Sequence, residues 1–148
     1  TVTVDQYAYT ASSTSLESRM PSWALAGGRA EGRKRTADPA ARTKIVEEMK
    51  KELKDRGFKD YSYAYVASYG PDPKFNGKNI AEITQEVRGK KKLDSQIDQI
   101  LEMYDKGGAS MVYHSMNEDD VKNIMSQPFT MIACDSGVRR LDSGHDRA

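Results

Sequence analysis

The stretch with the most chemical promise in this 148-residue chain is Phe129-Thr130-Met131-Ile132-Ala133-Cys134-Asp135-Ser136-Gly137. Its first six residues are apolar or small apart from Thr130, and a carboxylate, a serine and a glycine follow. Strands covered on both faces read as near-continuous apolar runs, so the pattern predicts a buried strand over residues 129–134 that runs out into a turn. Asp135 then stands at the C-terminal end of a strand, where barrels of alternating strands and helices carry their catalytic groups. A carboxylate there can accept and return a proton; it can equally cap the turn or the next helix. The second candidate is the hydroxyl-rich run Thr10-Ala11-Ser12-Ser13-Thr14-Ser15. It reads as a loop, whose hydroxyls either bind a ligand or satisfy their own backbone.

Other chemistry-bearing residues are sparse. His114 and His145 are the only histidines, Cys134 is the only cysteine, and none sits in a motif with metal-ligand spacing. A disulfide within the chain is excluded. There is no phosphate-cradling glycine loop and no serine-nucleophile elbow. The basic run at residues 29–35 holds Arg29, Arg33, Lys34 and Arg35 with Glu31 among them; it reads as a solvated connector. With 23 basic and 22 acidic residues the net charge is +1, which gives no general attraction to nucleic acid or to an anionic membrane. No apolar run approaches the length of a bilayer span and no secretory signal is visible, so a cytoplasmic location is expected.

Around these residues the periodicity sets out an α/β order. Residues 1–9 favour a strand through their β-branched and aromatic content. Pro21 and the pair Gly27-Gly28 bracket a short helix. Asp38 caps and Pro39 opens the clearest helix, with Ile45, Met49 and Leu53 on one face and Gly57 beyond its end. Tyr61, Tyr63 and Tyr65 alternate with small residues, which predicts a strand with a tyrosine face used for packing. A short helix at residues 79–87 and a solvated Lys90-Lys91-Lys92 follow. A second amphipathic helix spans residues 93–106, with Leu93, Ile97, Ile100, Leu101 and Tyr104 together. Residues 109–115 read as a strand. Asn117 caps a last helix whose first turn is acidic, with Val121, Ile124 and Met125 as its buried stripe.

Two blocks together resemble a known family. Asp5-Gln6-Tyr7-Ala8-Tyr9-Thr10-Ala11-Ser12-Ser13-Thr14 resembles the D-x-Y-P-Y-T-A-G-S-T segment of the N-acyl-D-amino-acid deacylases (D-aminoacylases). Ser115-Met116-Asn117-Glu118-Asp119-Asp120-Val121, followed by Ile132-Ala133-Cys134-Asp135-Ser136-Gly137, resembles that family's S-M-x-E-x-D-V and S-D-G blocks. Ala8, Ser12 and Cys134 depart from the usual Pro, Gly and Ser, and Asp146 replaces the Pro of the family's H-P-R at Gly144-His145-Asp146-Arg147.

The resemblance implies a fragment of a metal-dependent (β/α)8 TIM barrel with an inserted α/β subdomain. Residues 1–10 look like barrel strand seven, residues 11–110 like an insert over the active site, and residues 111–148 like the last barrel helix, strand eight and the loop after it. It further implies that Asp135 is the catalytic acid/base, that Tyr7 and Ser13 bind substrate, and that Arg147 pairs with the substrate carboxylate. The implied cofactor is zinc in the parent enzyme, held by residues of other barrel strands. No metal is expected in this piece, Asp135 being its one possible ligand, and the isolated piece is expected to be inactive. Its expected partners are a small N-acyl-D-amino acid and the rest of the barrel, with self-association of the isolated piece, and neither nucleic acid nor membrane. Residue 1 is Thr rather than Met and the chain stops just after a charged loop, which also suggests a fragment. The competing readings are a non-catalytic interaction or lid-like module derived from a deacylase, and another amidohydrolase of dihydroorotase or hydantoinase type.

Overall fold

Asp38-Pro39 opens the longest helix, as the sequence predicts, and the local chemistry shows why. The Asp38 carboxylate accepts the Ala41 N–H at 2.7 Å, and Pro39 occupies the first turn, where a missing N–H costs nothing. In the computed structural model, which describes residues 2–134, this is helix α3, Pro39–Asp55. Ile45, Met49 and Leu53 lie one turn apart and are all buried. The strands and helices before it are β1 (Val4–Gln6), β2 (Ala11–Ser15), α1 (Ser22–Leu25) and α2 (Arg29–Ala37). After it come β3 (Ala64–Ser68), α4 (Ile80–Arg88), α5 (Leu93–Asp105), β4 (Ser110–His114), α6 (Glu118–Met125) and β5 (Thr130–Ile132).

The strands form two sheets. β2, β4 and β3 make an antiparallel three-stranded sheet with β4 in the centre, and β1 and β5 make a separate parallel pair. α4 packs on β3, and side chains of α3, α4 and α5 share one core with those of β3 and β4 on one face of the larger sheet. Met111 and Tyr113 of β4 and Ala64 and Val66 of β3 point into that layer and are buried. α5 is its centre, packing on α2, α3 and α4, with Ile97, Ile100, Leu101, Met103 and Tyr104 all at most 1% exposed. The continuous core runs from Leu16 to Tyr113. α4 is held by a full capping box, Asn79 with Glu82, and Gly89 ends it in the left-handed conformation at φ 64°.

Five expectations are corrected by the structure. Residues 11–15 form an edge strand, not a loop, because their backbone is laddered to β4 (Ala11 opposite His114, Ser15 opposite Ser110), and a ladder asks little of the side chains at an edge. The basic run is helix α2, not a connector. Its guanidiniums close other helix ends: Arg29 donates to the Tyr104 carbonyl at 2.9 Å and pairs with Glu17, while Arg35 donates to the Ala24 and Ala26 carbonyls. Tyr61 and Tyr63 lie in a 3-10 turn before β3, buried among Phe58 and Tyr113, whereas Tyr65 lies on the opposite face of the sheet. The strand at residues 129–134 is shortened to β5 and is not buried: Phe129, Met131 and Ile132 are 47%, 55% and 68% exposed. On α6 only Val121 is buried, and Ile124 is exposed, because that helix packs on β1 and β5 alone rather than on the main core.

Gly32, inside α2, marks a close approach: a Cβ there would overlap the Tyr104 hydroxyl and stand 3.2 Å from the Ala24 carbonyl. Gly32→Ala gains about 1 kcal/mol of helix propensity and loses about 1–3 kcal/mol to overpacking. We expect net destabilisation in urea unfolding, partly recovered when Tyr104→Phe removes the clashing hydroxyl. A second expectation concerns alkali. Burial pushes the Tyr113 hydroxyl up to about 12, and that of Tyr61 up as well. Each protonated phenol therefore stabilises the fold fully below the unfolded value of about 10. That contribution is lost as pH rises from 10 towards 12. A spectroscopic pH titration should show these phenols ionising after the exposed ones, together with loss of structure.

Candidate functional site

β1 and β5 run parallel, with Val4 opposite Thr130, Asp5 opposite Met131 and Gln6 opposite Ile132. The ladder continues past the strands, where Ala133 N–H donates to the Gln6 carbonyl at 3.2 Å. Parallel strands end on the same side, so the residues after Gln6 and after Ile132 emerge together. Tyr7 and Tyr9 follow β1, their rings edge to face at 6.5 Å. Cys134 follows β5, and its Sγ lies 3.2 Å from the Tyr9 hydroxyl. Tyr7 is half-buried and Cys134 exposed.

The sequence-derived site residues fall in three places. Tyr7 lies at the C-terminal end of the parallel pair. Ser13 lies in β2, opposite Val112, with its side chain exposed on the uncovered face of the three-stranded sheet. Asp135 and Arg147 lie outside the described residues, as does His145; Asp135 directly follows Cys134 in the chain. Sequence reasoning gave His114 no role and read Tyr65 as packing alone, and both lie on the same uncovered face as Ser13. His114, at the end of β4, meets the Tyr65 ring edge-on with centroids 5.2 Å apart. The signal was the alternation within β4, since buried Met111 and Tyr113 leave Val112 and His114 for the other side.

Among the described residues no group of three or more His, Cys, Asp or Glu side chains could hold a metal ion. The described residues thus offer no ligand set for zinc; Tyr7, Tyr9, Ser13 and Cys134 offer hydrogen bonding and proton transfer. Two surface clefts belong to the helical layer. One of about 340 Å³ is lined by Trp23, Met20, Glu48 and Glu52, and one of about 460 Å³ by Tyr69, Phe75, Val87 and Glu102. Trp23 serves packing there, donating to Glu48 at 2.8 Å with Lys44 over its ring. In the second cleft Lys106, donating a hydrogen bond to Glu102, holds that carboxyl below the usual range despite partial burial. Glu48, Glu52 and Glu102 in these clefts are held in ion pairs, and neither cleft is lined by Tyr7, Ser13 or Cys134. No helix among the described residues is long and apolar enough to cross a membrane.

No protein-family model matches the sequence, and no curated protein does. The chain is similar to a solved structure of D-aminoacylase, described for the functional role of its binuclear metal center, with one-metal activation and second-metal attenuation. The likeness covers 88% of this chain and 18% of that one, at 25% identity and a TM-score of 0.48. The chain thus spans under a fifth of the length of that protein.

Lowering pH should test the ion pairs around the second cleft. A carboxyl held low contributes stability above its unfolded value of about 4.3, and that contribution is lost as pH falls through the folded value. Glu102→Gln should therefore flatten the acid limb of stability, measured as the unfolding midpoint between pH 6 and about pH 3.

Proposed function

We propose that this chain is part of a hydrolase that cleaves N-acyl-D-amino acids to a carboxylate and a D-amino acid. The observation that carries the reading is the parallel pairing of β1 with β5. It puts Tyr7 and the residue preceding Asp135 at one strand end, as neighbouring strands seven and eight of a (β/α)8 barrel would. The family block around Tyr7 and the described start of the other, Ile132 to Cys134, lie at those two strand ends, although more than 120 residues separate Tyr7 from Ile132. The unit between them, with its own core from Leu16 to Tyr113, suits an insert.

In this reading water adds to the acyl carbon, the C–N bond breaks, and Asp135 takes the water's proton and delivers it to the leaving nitrogen. Tyr7 and Ser13 orient the amide and carboxylate of the substrate, and Arg147 pairs with the carboxylate, a task suited to a planar guanidinium. The zinc that the resemblance implies is assigned to no described residue. The remaining partner is the rest of the barrel: β1 and β5 expose Val4, Met131 and Ile132, and parallel pairs are stable only when both faces are covered. A second reading, a non-catalytic interaction module, draws on the self-contained core.

The deciding experiment is an assay of the full gene product that carries this sequence, with N-acyl-D-amino acids as substrates and metal content measured alongside. Turnover is expected, and Asp135→Asn should lower kcat by about 10³-fold with little change in KM. If the protein neither binds metal nor releases a D-amino acid, the interaction module replaces the enzyme. The isolated 148-residue chain should self-associate in sedimentation experiments, and replacing Met131 and Ile132 by Ser should reduce that association.

A further inference from the structure

The uncovered face of the three-stranded sheet has a definite composition. Strands β2, β3 and β4 contain no Asp, Glu, Lys or Arg, in a chain of which 30% is charged. His114 is the only titratable group on them besides tyrosine. Cross-strand register places Ser13 and Tyr65 on either side of Val112, and His114 opposite Ala11. Ser13 and His114 are therefore diagonal neighbours on one face, a separation of about 7 Å that a small polar ligand can bridge.

The His114 ring is oriented without using its nitrogens. Tyr65 meets it edge to face at 81°. Among the described residues neither ring nitrogen has a hydrogen-bond or ion-pair partner, and the side chain is exposed. This end of the sheet is continuous with the candidate site: Met116 N–H donates to the Thr10 carbonyl at 3.1 Å, and Tyr9, the residue before Thr10, reaches Cys134. The surface thus offers an imidazole N–H and a serine hydroxyl as donors with no carboxylate on its strands to compete, which suits an anionic, hydrogen-bonding ligand.

On this basis, and resting on the hydrolase reading above, we infer that His114 is a substrate-binding residue, donating a hydrogen bond to the carboxylate of the N-acyl-D-amino acid beside Ser13. Tyr65 is its positioning residue.

The test uses the full gene product with N-acetyl-D-methionine and with its des-carboxy analogue N-acetyl-3-(methylthio)propylamine, which has hydrogen in place of the carboxylate. His114→Phe keeps the ring contact with Tyr65 and removes the N–H; His114→Asn keeps an N–H donor. For the acid, His114→Phe should raise KM about tenfold or more, the value of a hydrogen bond to a charged group. Its kcat should stay within about threefold of wild type, and His114→Asn should recover part of the loss. For the des-carboxy analogue the wild type and His114→Phe should have equal KM. An unchanged KM for the acid overturns the inference and leaves the hydrolase reading standing, as does an equal rise for the acid and the des-carboxy analogue, which would mark a contact with another part of the substrate. A wild-type protein that does not act on N-acyl-D-amino acids overturns both together. An unchanged thermal midpoint for His114→Phe is expected, and a fall of several degrees would assign His114 to the fold instead.

Discussion

The antiparallel ladder through β4 is the constraint on which the rest depends. β4 pairs with β2 on one side and β3 on the other, so a segment of roughly a hundred residues leaves and returns through adjacent strands. Closing so long a loop costs only slightly more entropy than closing one half as long, and the core that closure encloses supplies the return. Met111 and Tyr113 enter that core fully buried, and the Tyr113 hydroxyl donates back across the sheet to the Ser15 carbonyl at 3.2 Å. Arg19 covers the Tyr113 ring at 4.6 Å and reaches Glu52 of α3 at 3.7 Å, joining sheet to helix.

The helical layer depends on polar groups placed where an apolar pattern predicts none. Gln96 is fully buried, yet it accepts the Tyr61 N–H at 2.9 Å and donates to the Lys91 carbonyl at 2.8 Å. It thereby secures both the turn before β3 and the lysine segment before α5. Gln99 and Glu102 receive Arg88 from α4, and Thr36 of α2 donates to Asp105 at 2.8 Å. Leaving Gln96, Gln99 or Thr36, each at most 2% exposed, unpaired would cost about 1–3 kcal/mol, so these groups fix how the helices sit as well as that they form.

The parallel pair is built on a different principle. It has its hydrogen bonds and α6 packed against it, yet Val4, Met131 and Ile132 stay exposed. The candidate site lies at the junction of these two regimes. Tyr7 and Cys134 follow this pair, while Ser13 and His114, the groups proposed to bind substrate, sit on the hydrogen-bonded three-stranded sheet.

The sequence by itself determined the helices with strong caps and a one-turn apolar repeat: Asp38 with Pro39, Asn79 with Glu82, and Asn117 before its acidic turn are local devices that act within a few residues. It also marked Tyr7, Ser13 and Asp135 through two motif blocks. Tertiary structure decided what depends on partners far along the chain. Residues 11–15 are strand because β4 lies beside them, and residues 29–37 are helix with guanidiniums directed at carbonyls of α1 and α5. Residues 130–132 are strand yet exposed, because strand formation needs only β1 whereas burial needs a further layer. Alternation within β4 could assign His114 a face, but not its place beside Ser13: that is set by hydrogen-bond register across about a hundred residues, about which local periodicity carries no information.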